Sequence, residues 1–167
     1  MQHSSLDLEL LNLSRSKLKD YLRHLEGIDA DTLGEPWGEA QWHMDLPGKW
    51  ELSWVLLREA LPIGFLIASR KERALHIHRF ALAVKERGKG LGMLLIAREA
   101  QQAVEQGCSN MTLKVHHTNV SAISFYTRLG FTRSGRQHGS LEMMGDSRQI
   151  LDLAQNFRLQ AERQQIK

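Results

Sequence analysis

Alternation and helical spacing of apolar positions divide most of the chain into elements. Leu6, Leu8 and Leu10 alternate with Asp7 and Glu9, the period of a strand with one dry face. Ser14 can cap a helix that carries Leu18, Tyr21, Leu22 and Leu25 on one side, with Gly27 just past its end. Residues 28–49 lack a period and hold Gly34, Pro36, Gly38, Pro47 and Gly48, with room for a short helix from Trp37 to Met44. Two strand-like runs, Trp50–Arg58 and Ile63–Ser69, flank Glu59–Pro62 as a hairpin turn, and a third runs from about Ala74 to Val84.

The period then lengthens. After Arg87–Gly92, a helix with Met93, Ile96, Ala97, Ala100 and Val104 on one face is expected to end at Gly107. Met111, Leu113 and Val115 alternate with Thr112, Lys114 and His116 in a further strand. Asn119 can cap a helix that turns Ala122, Phe125, Tyr126 and Leu129 inward and stops at Gly130. Phe131–Arg136 and Ser140–Met144 read as a closing pair of strands. Asp146–Lys167 reads as a helix striped by Ile150, Leu153, Ala154, Phe157 and Ala161. The order β-α-α-β-β-β-α-β-α-β-β-α, a meander feeding a β-α-β crossover, predicts an α/β fold. Its mixed central sheet would carry helices on both faces in one domain over residues 1–167.

Composition narrows the class of partner. Apolar residues make up 42% and charged residues 25% of the 167, a globular balance. The 22 basic residues exceed the 19 acidic ones by three, too few to imply nucleic acid but compatible with one local anion site. The C-terminal cations Arg148, Arg158, Arg163 and Lys167 interleave with Asp146, Asp152 and Glu162 as on a solvated face, so no nucleic-acid partner is expected. The apolar runs around Pro62–Ala68 and Leu91–Ala97 fall well short of the ~20 residues that span a bilayer, and no membrane association is expected. The opening MQHSSLDLEL lacks a basic-then-apolar leader, and a single cysteine, Cys108, excludes an intrachain disulfide. A cytoplasmic location is therefore expected, as a monomer or homodimer.

The chemistry concentrates at Arg87-Gly-Lys-Gly-Leu-Gly92, between a strand and a helix. Glycines allow close backbone approach, and a helix start offers free N–H groups and positive dipole, so the segment reads as an anion site with Arg87 and Lys89 adding charge. A dinucleotide fingerprint fails because Met93 stands where glycine or alanine is needed, and no Gly-Lys-Ser/Thr closes a nucleotide-triphosphate loop. Arg87-x-x-Gly90-x-Gly92 instead resembles the Arg/Gln-x-x-Gly-x-Gly/Ala signature of the GNAT superfamily of N-acetyltransferases. Asn119-Val-Ser-Ala-Ile-Ser-Phe-Tyr126-Thr-Arg-Leu-Gly-Phe131 resembles that family's second motif, and the likeness covers about residues 5–145, leaving the helix of about 146–167 outside it as a packing or subunit contact.

The resemblance implies an acyl-CoA N-acyltransferase fold and acetyl-CoA as co-substrate, with no metal. The coenzyme would be held by Leu82, Ala83, Val84, Arg87, Gly88, Lys89, Gly90, Leu91 and Gly92, with Asn119 as a further contact. The strand before the second motif would splay from the strand before the loop to admit the pantetheine arm, and the backbone N–H of Leu82 or Val84 would meet the thioester carbonyl. Tyr126 would protonate the departing thiolate; its spacing serves core packing equally well. His76 and His78 share one strand face and titrate in the range an attacking amine needs, so they read either as the base, through water, or as half-exposed strand residues. Trp37, Trp42 and His43 are acceptor-side candidates, with Glu39 and Asp45 as charges. The expected reaction is acetyl transfer to a primary amine of a small molecule or peptide by direct attack in a ternary complex. A non-catalytic acyl-CoA sensor or assembly subunit on the same fold is the alternative.

Overall fold

The computed structural model describes residues 8–165, so Leu6 of the first predicted strand and residues 166 and 167 of the last predicted helix lie outside it. The strands are β1 (Leu8–Asn12), β2 (Trp54–Arg58), β3 (Leu61–Lys71), β4 (Ala74–Leu82), β5 (Asn110–His116), β6 (Thr132–Gln137) and β7 (Ser140–Asp146). The helices are α1 (Arg15–Ala30), α2 (Glu39–His43), α3 (Lys49–Leu52), α4 (Leu91–Glu105), α5 (Val120–Arg128) and α6 (Ser147–Gln165). They build one mixed sheet in the order β1-β2-β3-β4-β5-β7-β6, in which β4 and β5 form the parallel pair.

Each face of the sheet has its own core. On one, α4, α5 and α6 bury Leu66, Leu75, Ile77, Ile96, Leu113, Phe131 and Ile150. On the other, α1 and α2 bury Leu18, Leu25, Ile28, Trp42, Phe65 and Ile67. The helix beyond the predicted family core is therefore part of the first core, through Ile150 and Ala154, while Ala161 of its predicted stripe is exposed.

Four local expectations shift. The Ser14 hydroxyl does cap α1, accepting from the Lys17 N–H (3.3 Å), but the helix continues past Gly27 to Ala30. Burial of Ile28 in the last turn outweighs the cost of about 1 kcal/mol for a glycine in a helix. The run from Trp50 is not all strand: Lys49–Leu52 is a helical turn after left-handed Gly48, because the buried Lys49 ammonium donates to the carbonyls of Gln41 (3.4 Å), Trp42 (2.6 Å) and Met44 (2.7 Å) at the end of α2. The β2–β3 turn is tighter than predicted, with positive φ at Glu59 and Ala60 and Leu61 already in the strand. The third strand of the meander ends at Leu82, and Val84 opens a single 3-10 turn that closes at Glu86.

β4 also carries a bulge. Ile67 of β3 pairs with Arg79, yet the next residue, Ala68, pairs with Ile77. The extra residue shifts the alternation. Leu75, Ile77, Phe80 and Leu82 face α4, whereas Ala81 faces α1.

Candidate active site

The site opens where two paired strands part. β4 and β5 are bonded from Ala74/Asn110 to Ile77/Leu113, and then β4 runs on to Leu82 and β5 to His116 without pairing. On its other edge β4 remains paired to β3, and the Ala83 N–H donates to the Ile63 carbonyl (2.8 Å). N–H groups alternate along a strand, so those of Leu82 and Phe80 point the other way, into the gap. The Ala83 amide is spent on the sheet, and the 3-10 turn takes Val84 out of the strand.

The glycine loop closes one end of the gap. Gly88 and Gly90 have φ of +75° and +78°, and open space surrounds the position where a Cβ would stand on each. That conformation is easy for glycine and costly for other residues, and it aims the first turn of α4, with Gly90 as its N-cap, at the opening. Gly92 has a different reason to be glycine: a Cβ there would lie 3.3 Å from the ring tips of both Phe80 and Phe125. Leu91 is buried in the core. The Arg87 guanidinium is committed to main-chain oxygens, Leu82 O (3.1 Å) and Asp31 O (3.1 Å), and Lys89 is ion-paired with Glu86 (3.4 Å).

Tyr126 lies on α5 behind the gap. Its ring sits among Phe80, Phe125 and Phe131 at centroid distances of 6.4, 5.4 and 5.5 Å. Burial pushes the phenol above its ordinary range. Asn119 is the N-cap of that helix, accepting from the Ala122 N–H (3.2 Å).

The two histidines sit together on the α1 side of β4, rings 4.7 Å apart and edge to face. His76 Nδ1 bonds Thr112 Oγ1 and His78 Nε2 bonds the buried Ser69 hydroxyl, each at 2.7 Å. Burial, first, and then His76, Lys49 and Lys71 hold His78 down at about 4; burial followed by Lys71 and Lys114 lowers His76. Both rings are therefore neutral near pH 7.

These features match a known family over most of the chain. Residues 19–131 match the acetyltransferase (GNAT) family model. The chain belongs to that family.

Among curated relatives, the N-alpha-acetyltransferase MAK3 of Arabidopsis thaliana is 38% identical over 50 residues, covering 30% of this chain and 26% of that protein. The uncharacterized N-acetyltransferase MJ1207 of Methanocaldococcus jannaschii is 27% identical over 113 residues, covering 58% of this chain and 50% of that one. The chain thus spans no more than half the length of these relatives. Among solved structures, the ribosomal-protein-S18-alanine N-acetyltransferase of Escherichia coli superposes with a TM-score of 0.72 at 18% identity, over 84% of this chain and 94% of that one. The PaiA N-acetyltransferase of Thermoplasma acidophilum in complex with coenzyme A gives 0.68 at 18%, over 84% and 99%. Naa50 of Arabidopsis thaliana with a CoA-Ac-MVNAL bisubstrate analogue gives 0.67 at 16%, over 82% and 96%.

Within this GNAT chain, the acceptor-side residues singled out from the sequence separate. Trp42 is fully buried against Phe65 (5.2 Å), so it is core rather than contact surface. Trp37 is half-buried and meets Trp42 edge-on (5.2 Å). Glu39 and His43 are exposed, and Asp45 holds Arg15 (2.6 Å) and the Trp50 indole N–H (2.8 Å). His116 and His117 stack on each other at the far end of β5, away from the paired half of β4. Arg79 and Asp29 carried no signal in the sequence, because each is defined by a partner fifty residues away, and Lys49 carried none because its carbonyl partners converge only once the chain turns after α2. Among the described residues, no group of three or more His, Cys, Asp or Glu side chains is placed to hold a metal ion. No described helix is long and apolar enough to cross a membrane.

Proposed function

We propose that the chain is an acetyl-CoA-dependent N-acetyltransferase whose acceptor is an α-amino group, of a polypeptide or an amino acid. The observation that carries the reading is the parting of β4 from β5 directly beside a left-handed glycine turn at the start of α4. An extended pantetheine arm fits such a gap as a missing strand would, and a pyrophosphate fits the open space at Gly88 and Gly90. Acetyl-CoA supplies an acetyl thioester, an acyl group activated toward amines.

Each protein group has a part in this reading. The Leu82 N–H, facing the gap, donates to the thioester oxygen as charge builds there. The glycine loop and the first turn of α4 hold the coenzyme in place. Lys89 adds positive charge at the loop, and Arg87 braces it by holding Leu82 O. Tyr126 gives its proton to the departing thiolate. Burial makes the phenol a weaker acid, so the donation calls for a thiolate that is itself poorly solvated as it forms.

The histidines favour an α-amine. An imidazole held at about 4 is a poor sink for a proton from an alkylammonium near 10.4. An α-amine, near 7.7–8.0, supplies its neutral form at physiological pH without a strong base. His76 and His78 then orient the amine; its nitrogen, made strongly acidic by bond formation to the acetyl carbon, loses its proton to bulk water, and water restores to Tyr126 the proton given to the thiolate. That the Arabidopsis relative is named an N-alpha-acetyltransferase, and the Escherichia coli neighbour a ribosomal-protein-S18-alanine N-acetyltransferase, supports the same acceptor.

The test is release of coenzyme A thiol from acetyl-CoA in the presence of peptides with free N-termini, blocked peptides containing lysine, and polyamines. Turnover with free N-termini above all others is expected. Preference for lysine or polyamine overturns the acceptor assignment. Acetyl-CoA binding without turnover on any amine would move the chain to the sensor class.

A further inference from the structure

We infer that the Arg79–Asp29 ion pair positions the acceptor side of the site, holding residues 31–37 beside the open end of the sheet and so setting acceptor affinity. This rests on the N-acetyltransferase reading above. Between the end of α1 and the start of α2 the chain has no regular structure, so its path depends on individual anchors. Two of them come from the Arg79 guanidinium, which donates to Thr32 Oγ1 (2.9 Å) and to Glu35 O (3.2 Å) while also pairing with Asp29. A third comes from the Asp29 carboxylate, whose second oxygen accepts from the Trp37 N–H (2.7 Å). The fourth is Arg87 of the glycine loop, donating to Asp31 O (3.1 Å). One ion pair therefore supplies three of the long-range holds on this segment and the coenzyme loop a fourth, beside the local bonds of the Asp31 N–H to Ile28 O and of the Thr32 N–H and hydroxyl to Asp29 O.

The pair is placed for this task. Arg79 lies beyond the last bonded β4–β5 residue, Ile77, so the segment it carries borders the gap rather than the closed half of the sheet. It follows His78 immediately, and the bulge turns both toward α1. Trp37, fixed through its amide, brings its indole against Trp42 and forms an aromatic edge to that segment. Asp29 is only 1% exposed. Removing a carboxylate from water costs about as much as its pairing returns, so net stability is a weak explanation for this pair and conformational specificity a stronger one.

Arg79→Gln, Arg79→Lys and Thr32→Val test the inference with peptide acceptors and acetyl-CoA. Arg79→Gln is expected to raise the acceptor KM about tenfold or more, with kcat and the coenzyme KM within about twofold of wild type. Arg79→Lys, which keeps the charge but not the fork, should recover part of the loss. Thr32→Val removes the hydroxyl that accepts from Arg79 and donates to Asp29 O (2.7 Å) while leaving the ion pair in place, so it reads the same direction with smaller size even if the Arg79 variants fail to fold. Amide hydrogen exchange supplies a readout independent of turnover: the amides of Trp37 and residues 31–35 should exchange faster while those of β3 and α4 do not. An unchanged acceptor KM, acceptor and coenzyme KM rising together, or unchanged exchange at Trp37 each overturns the positioning role. Failure of the wild type to release thiol with any amine would retire the underlying acetyltransferase reading, and the exchange result then decides the clamp by itself.

Discussion

His78 and Arg79 are neighbours in one strand, yet both side chains lie on the same side of the sheet: His78 bonds Ser69 there (2.7 Å) and Arg79 pairs with Asp29 of α1. Regular alternation would send them to opposite faces. The bulge between Ile77 and Arg79 sets them side by side, and it turns Phe80 toward Tyr126 and α4. One irregularity thus joins the histidine pair, the acceptor-side segment and the aromatic cluster at the gap.

Tyr126→Phe separates catalysis from packing. The ring contacts with Phe80, Phe125 and Phe131 are kept, so stability should change by no more than ~1 kcal/mol. Turnover should fall by roughly 10²–10⁴ with acetyl-CoA affinity unchanged, and a more acidic thiol leaving group should narrow the deficit. Steady-state kinetics with full turnover would assign the hydroxyl to packing and leave the thiolate to solvent.

Gly90→Glu should abolish coenzyme binding. Acetyl-CoA at about 100 times its Kd should stabilise the wild type by ~2.7 kcal/mol, seen as a higher Tm, and this increment should vanish in the variant. Because φ at Gly90 is +78°, any L side chain there adds ~1–2 kcal/mol of backbone strain. Gly90→Ala measures that strain with nothing within 4 Å of the new Cβ. A ligand-induced rise in Tm that survives in Gly90→Glu would place the phosphates elsewhere.

His78 links stability to acid. Its folded-state pKa is about 4 against 6.5 for the free side chain, so the unfolded chain binds the extra proton between those values. The corresponding stability is complete above about 6.5 and is lost as pH falls toward 4. His78→Asn should flatten this part of a stability-against-pH curve measured by denaturant. The pH profile of kcat/KM should rise through the acceptor amine near ~8, with no inflection of His78 between pH 6 and 7. An inflection there that disappears in His78→Asn would restore the histidine as a base.

Glu99 links stability to pH with the opposite sign. It is fully buried in α4 and neither carboxyl oxygen has a hydrogen-bond partner, nor does the Trp54 indole N–H. Burial pushes the acid well above its usual 4.5, while nearby Trp54 and Arg98 lower it by lesser amounts. The folded chain therefore keeps the proton that the unfolded chain releases above about 4.5, and stability declines as pH rises from there. Glu99→Gln resembles the protonated acid and does not titrate. Its advantage over wild type should grow with pH by at most about 1.4 kcal/mol per unit. Parallel curves for the two proteins would show that Glu99 is not held neutral.

Spacing along the chain was enough for the mixed sheet, the glycine turn into α4, the Asn119 cap, the inward face bearing Tyr126 and, apart from the turn at Lys49, the order of elements. Each of these depends on residues within a few positions of one another: a hydrophobic period, a cap, a left-handed glycine. Tertiary structure alone decided the phase of β4 after Ile77, its end at Leu82, the passage of α1 beyond Gly27 and the helical turn at Lys49. It also decided the role of Arg87, whose guanidinium reaches Asp31, and it formed the pair of Arg79 with Asp29, fifty residues away. Those outcomes are set by partners that only the folded path brings together: the core around Ile28, the carbonyls that converge on Lys49 and a carboxylate presented by another helix. A local pattern of polar and apolar residues holds no record of such partners, because the same pattern satisfies either phase until the neighbouring element is in place.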